Sequence, residues 1–128
     1  MVHQVLVVLI LFQIKHLIAD FVLQSQYILQ NRRKYGHPGG LLHVAYHITG
    51  TAICLLAVGC DLRILVTILV AEALIHYHLD WTKDNLVASK SLTTTDAKFW
   101  NLLGLDQLLH QLTYLGMAWY FSTSLGPG

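Results

Sequence analysis

The stretch Glu72-Ala-Leu-Ile-His76-Tyr-His78-Leu-Asp80 closes an apolar run that begins near Leu62. Glu72, His76 and Asp80 are four residues apart, so a helix carries them on one face. Three other apolar runs hold pairs at the same spacing: His16 and Asp20, His43 and His47, Asp106 and His110. Imidazole nitrogen and carboxylate oxygen together suit Zn²⁺, Fe²⁺ or Mn²⁺ better than Ca²⁺ or Cu⁺. With His76 and Asp80 the set contains eight ligand side chains, twice what a structural zinc takes. It fits two divalent ions with open positions. Asp20, Glu72, Asp80 and Asp106 bring four negative charges, which two such ions balance. In apolar surroundings and without an ion, four carboxylates must protonate, hydrate or hydrogen-bond. The competing reading is therefore a His–Asp hydrogen-bond network that ties helices together.

Other residues enter this chemistry by position. Glu72 lies one turn beyond His76 and is a candidate ligand, general base or partner of a ligand histidine. Lys15 adjoins His16 in an apolar run, where it snorkels, pairs with Glu72, or binds an anion or stabilises negative charge beside the metal. Glu72 and Lys15 are the candidate catalytic pair. Tyr114 continues the stripe of Asp106 and His110. His78 points about 200° from His76 on an ideal helix, and His3 and His37 fall outside the apolar runs, so all three stay out of the site. Cys54 and Cys60 lie six apart in one run and are read as small buried residues rather than a disulfide.

The elements that must position these residues are long and apolar. Hydrophobic residues make up 55% of the 128 and charged ones only 12%, against about a quarter in soluble domains. A net charge of +1 leaves no basic footprint for nucleic acid. The expectation is one all-α domain over residues 1–128, a polytopic membrane protein with a four-transmembrane-helix bundle. The spans are predicted at residues 5–29, 41–60, 62–81 and 99–121, each near the roughly 20 residues a bilayer needs. Gly59-Cys-Asp61 is a tight turn, residues 82–98 the longest loop, and Thr94 or Thr95 the N-cap of the last helix. No cleavable signal peptide is expected, and Leu125-Gly-Pro-Gly128 is a tail without assigned function. Arg32, Arg33 and Lys34 in loop one and Lys83, Lys90 and Lys98 in loop three place those loops in the cytoplasm and both termini outside. All four pairs then fall in the cytoplasmic half of the bilayer, at about 1.5 Å rise per residue.

The motifs His16-Leu-Ile-Ala-Asp20-Phe-Val-Leu-Gln24, His43-Val-Ala-Tyr-His47, His76-Tyr-His-Leu-Asp80 and Asp106-Gln-Leu-Leu-His110 span nearly the whole chain. In them the chain resembles an uncharacterised family of small bacterial inner-membrane proteins. The resemblance implies a four-helix membrane fold in the inner membrane and supplies no reaction. From the residues, the leading expectation is a metal-dependent hydrolase, with zinc as the metal and Fe or Mn as alternatives, one or two ions per chain. Its substrate would be a lipid or other amphiphile at the cytoplasmic leaflet, a phosphoester among the candidates. The alternatives are a metal or ion transporter, which four spans form only as a homo-oligomer, and a di-iron oxidase or hydroxylase. A haem protein fits less well, because haem ligation needs no Asp partners.

Overall fold

The computed structural model describes residues 2–125, and within them the chain is all-helical. Helix α1 spans Val2–Leu17 and runs into a π-helical turn at Ile18–Val22. Short α2 covers Gln26–Asn31, α3 Pro38–Ala57, α4 Leu62–Ser89 and α5 Ala97–Ser122, followed by a 3₁₀ turn at Thr123–Leu125. The tail residues 126–128 lie outside the described residues.

Helix α1 packs on α3 and α5, and α4 packs on the same two, so the four long helices close a ring with α1 and α4 on a diagonal. Each contributes one buried stripe at helical spacing: Val8, Phe12, Lys15, His16 and Ala19 from α1; His43, His47, Thr51 and Cys54 from α3; Leu65, Ile68, Glu72, His76 and Asp80 from α4; Asp106, His110, Tyr114 and Met117 from α5. Every stripe changes character along its length. The stripes of α1 and α4 pass from apolar to polar, and those of α3 and α5 from polar to apolar. Antiparallel packing therefore gathers the polar residues at one end of the bundle. Val8, Phe12, Leu55, Leu65, Ile68, Met117 and Phe121 form an apolar core at the other.

The outside is the reverse of a soluble protein's. Ile10 and Ile14, Ile53 and Leu56, Val66 and Val70, and Leu108, Leu112 and Trp119 are exposed, while Lys15, Asp20, Glu72, Asp80 and Asp106 are buried. Three helices, α1 with its π turn, α3 and α4, are long and apolar enough to cross a membrane. The expected fourth, α5, is 26 residues long. It carries Asn101, Asp106, Gln107, His110 and Gln111 close together, which dilutes its apolar character.

Several boundaries depart from expectation. The first run does not continue to Leu29: the π turn ends it at Val22, and Ser25 caps α2 by accepting from the Ile28 N–H at 3.4 Å. Helix α4 does not stop at Trp81. It goes on to Ser89, so most of the predicted third loop is helical. Asp84 and Asn85 on this extension bind back to loop one and hold it. The N-cap of α5 is Asp96, not Thr94 or Thr95. Its carboxylate turns backward to accept from the Thr93 N–H at 2.8 Å and Thr93 Oγ1 at 3.0 Å. Helix α3 starts earlier than predicted, with His37 as N-cap and Pro38 in the first turn. The tight turn after α3 forms as expected, with Gly59 at φ +75°.

Candidate metal centre

The polar ends of the four stripes meet on the bundle axis. His43, from the start of α3, brings Nε2 within 3.3 Å of His76 Nε2 on α4. The same His43 nitrogen is 3.2 Å from Asp20 Oδ1 and 3.0 Å from Asp80 Oδ2. His76 Nε2 is 3.4 Å from Asp80 Oδ2. His47 Nε2 meets Asp20 Oδ1 at 2.8 Å. Ligands about 2.0–2.1 Å from a tetrahedral zinc stand about 3.3 Å apart. The triangle of His43 Nε2, His76 Nε2 and Asp80 Oδ2 has edges close to that length. One ligand atom each from Asp20, His43, His47 and His76 converges in a first group, and one each from His76, Asp80 and His110 in a second. Both groups are buried and share His76.

The remaining two predicted ligands sit beside these groups. Asp106 Oδ1 is 3.5 Å from His110 Nε2, which in turn lies 3.3 Å from Asp80 Oδ1. His16 Nε2 is 3.2 Å from Asp20 Oδ2 and 2.9 Å from Gln107 Oε1, while its Nδ1 meets the Tyr114 hydroxyl at 2.9 Å. All eight predicted side chains therefore belong to one contiguous cluster. Asp20 and Asp80 each turn one oxygen to one side and the second to another, as bridging carboxylates do.

Several contacts are short without being satisfied hydrogen bonds. Asp80 Oδ2, Asp106 Oδ1, His43 Nδ1 and His76 Nδ1 are buried and have no hydrogen-bond partner among the described residues. Asp80 Oδ2 keeps this status although His43 Nε2, His76 Nε2 and Arg32 Nη1 lie 3.0, 3.4 and 3.5 Å from it. Two facing Nε2 atoms also need one donor and one acceptor, or a shared cation. A buried polar atom without a partner is costly, and a divalent ion among these donors removes that cost for the atoms that face it.

Behind the cluster, toward the apolar core, Lys15 is buried and forms an ion pair with fully buried Glu72. The same ammonium lies 3.3 Å from His47 Nδ1 and 4.5 Å from the Tyr114 ring centroid. Glu72 Oε2 and the neighbouring-layer Thr51 hydroxyl have no partner among the described residues. Glu72 thus reaches the cluster through Lys15. His78 lies outside, donating to or accepting from Tyr35 at 3.1 Å and meeting the Leu74 carbonyl at 2.7 Å. His37 caps α3 and His3 is exposed, so the three histidines left out of the site stay out of it.

Sequence reading missed the rim. Arg32, read from the sequence as a loop-one topology determinant that could also attract anionic lipid headgroups near the mouth of the site, is buried. Its Nε and Nη2 grip Asp84, the latter at 3.1 Å from Oδ1, and its Nη1 lies 3.5 Å from Asp80 Oδ2. Burial works against its charge, but Asp80 and Asp84 hold its pKa above the ordinary arginine value. Lys83 Nζ is 2.9 Å from Asp84 Oδ1 and 4.0 Å from Asp106 Oδ2. Gln24, oriented to satisfy both its ends, joins Arg32 to the Asp20 backbone carbonyl. Gln24 and Gln107 stand inside the quoted motifs, four and one residues from an Asp, and that adjacency was the available signal. No signal in the sequence paired Arg32 with Asp84, which is 52 residues away.

No curated protein and no solved structure matches the chain. Residues 8–127, which hold every side chain of the cluster, match the family described as protein of unknown function (DUF3307), and the chain belongs to that family.

Proposed function

We propose that the protein is an intramembrane metal-dependent hydrolase of four spans, with α5 as the fourth. The observation that carries the reading is the convergence of buried imidazole and carboxylate atoms at ligand-to-ligand spacing, with Asp80 Oδ2 and Asp106 Oδ1 left without a hydrogen-bond partner among the described residues. Nitrogen and oxygen donors together favour zinc, with Mn²⁺ and Fe²⁺ as the alternatives. One ion fits the group of Asp20, His43, His47 and His76; because His76 is common to both groups and one imidazole nitrogen holds one ion, a second ion rests on Asp80 and His110 with neighbouring Asp106. Support for α5 as a span comes from its place in the closed ring and from its exposed Leu105, Leu108, Leu112 and Leu115.

Bound divalent ions acidify water to near neutrality and so supply a hydrolytic nucleophile. The chain's own groups do the rest. A ligand carboxylate, Asp106 or Asp80, accepts the proton released from that water. Lys15, held by Glu72, keeps a positive charge against His47 and opposes build-up of negative charge deep in the site. Tyr114 and Gln107 orient His16. The apolar core closes the far end, so substrate arrives from the Arg32 side, which the loop charges assign to the cytoplasmic leaflet of a bacterial inner membrane. A lipid or other amphiphile is the substrate class that reaches such a position.

The test is elemental analysis of protein purified in detergent without added metal, followed by the same analysis of Asp80→Ala and His110→Ala. One or two zinc ions per chain, reduced in both variants, is the expected result. Hydrolysis of an amphiphilic ester or phosphoester by the metal-loaded protein then completes it. A metal-free chain whose variants fold normally overturns the reading in favour of a His–Asp network. Coloured, iron-loaded protein turns it toward an oxidase.

A further inference from the structure

The cluster has a built rim, and the rim is cationic. Arg32, Arg33, Lys34, Lys83, Lys90 and Lys98, all but Lys15 and Arg63 of the chain's Lys and Arg, lie at the polar end of the bundle. Two of them border a groove of about 350 Å³ between the end of α2 and the extension of α4. Leu29, Gln30, Arg32 and Arg33 line it from the α2 side and Asp84, Val87 and Ala88 from α4, so each side carries both apolar and charged surface. The groove is anchored on both sides: Asn85 Nδ2 donates to the Arg33 carbonyl at 3.2 Å, and Arg32 grips Asp84. From the inner end of this groove, Arg32 Nη1 reaches Asp80 Oδ2 at 3.5 Å.

We infer that this groove binds the phosphate headgroup of an anionic membrane amphiphile, with Arg32 and Arg33 as its ligands and Asp84 as the carboxylate that it displaces. Guanidinium offers a planar fork that matches phosphate oxygens two at a time. Asp84 now occupies that fork and also takes Lys83, so one carboxylate holds two cations in the place of a more highly charged group. The apolar surface of Leu29, Val87 and Ala88 suits the glycerol and first methylenes of a lipid, which a free anion lacks. The position also matches a headgroup: the groove lies beyond the last buried turn of the bundle, where α4 has left the apolar core. A phosphate there has the metal cluster on its inner side, one guanidinium away. That the bound molecule is the substrate rests on the hydrolase reading; that it binds does not.

The experiment uses the detergent-solubilised full chain as purified, with its metal content recorded for every sample. Short-chain phosphatidic acid (dihexanoyl) is titrated by calorimetry, with dihexanoylglycerol and inorganic phosphate as comparators. Phosphatidic acid is expected to bind, and both comparators to bind at least about tenfold more weakly. Arg33→Gln, at an exposed position, weakens phosphatidic acid binding by about tenfold without altering metal content. Asp84→Asn removes the competing carboxylate and tightens binding severalfold. Equal binding of dihexanoylglycerol reduces the groove to an apolar cleft and overturns the inference. Equal binding of inorganic phosphate makes it a free-anion site and overturns the commitment to a lipid. Weaker binding in Asp84→Asn shows Asp84 to be a support rather than a competitor, again against the inference. Phosphatidic acid binding by a metal-free chain keeps the inference and removes the hydrolase reading. Full metal with no binding does the opposite.

Discussion

Lys15 shows how much a single residue's neighbours decide. A lysine in an apolar stretch is expensive unless paired, and its partner is Glu72, 57 residues away. Removing one member of a buried pair leaves an uncompensated charge and costs about 3–5 kcal/mol, whereas replacing both with apolar groups of similar volume is near neutral or stabilising. Glu72→Gln and Lys15→Met are therefore each expected to destabilise the bundle by about that amount, and the double variant Lys15→Met with Glu72→Leu to recover most of it. Denaturant unfolding in detergent, followed by circular dichroism, measures all three. A double variant less stable than either single would show that the pair contributes through something besides charge compensation. Bound metal in the double variant adds a second reading. Ion content that survives while hydrolysis fails places Lys15 in the chemistry; loss of both places it in support of His47.

At the scale of the element, termini matter more than interiors. Helix α4 gains its last turns by overrunning the polar segment, and those turns carry Asp84 and Asn85 to loop one. The entry to α5 depends on Asp96, whose carboxylate is held below its ordinary value of 3.8 by the Thr93 N–H and hydroxyl. A carboxyl with a depressed folded-state pKa adds stability that is complete above the unfolded value and is lost as pH falls through the folded one. Local order at residues 93–99 is expected to be constant from neutral pH down to about 4 and to decline below it. Amide exchange of the Thr93 N–H across that range tests this. Protection that is indifferent to acid, or that rises with it, would remove Asp96 from the account of how α5 begins. Asp96→Ala should abolish the pH dependence and leave α5 otherwise intact.

The whole molecule has an axis. An apolar core closes one end, the Lys15–Glu72 pair forms a layer above it, the His–Asp cluster comes next, and Arg32 with Lys83 caps the rest. In the proposed orientation, read from the loop charges, the cap faces the cytoplasm. With Cys54 and Cys60 replaced by alanine, single cysteines at Lys34 and at Lys90 should resist a membrane-impermeant maleimide in intact cells and label after lysis. Labelling of both from outside reverses the axis and moves the site to the opposite leaflet. Labelling of one alone breaks the four-span reading, because loops one and three share a side only if α3 and α4 both cross. The proposed ions belong to the same scale. Stripping metal with a chelator is expected to lower the melting temperature, since a ligand bound only by the folded state stabilises it in proportion to the logarithm of its concentration over Kd. A chelator-indifferent melting temperature counts against any tightly held ion.

Periodicity made the helices and the stripes legible without a structure. His16 and Asp20, His43 and His47, His76 and Asp80, and Asp106 and His110 are local pairs, and a helix of 3.6 residues per turn forces each onto one face. The depth of each pair along its helix, read with the Lys and Arg of the loops, put all four pairs toward one end. Nothing comparably local determined the rest. The extension of α4 to Ser89 is polar and reads as a loop, and it becomes helical where Asp84 and Asn85 find loop one. The break at Val22 lies within an apolar run, and Asp20 is positioned by a π turn that no spacing announces. Arg32 reads as a topology signal because a charged residue in a loop is normally solvated. Its burial against Asp84 and Asp80 arises from contacts 52 and 48 residues apart along the chain. The sequence by itself thus determined what is periodic within one helix. Tertiary structure decided what depends on distant charges meeting, because the energy of such a pair exists only once packing has excluded water from both partners.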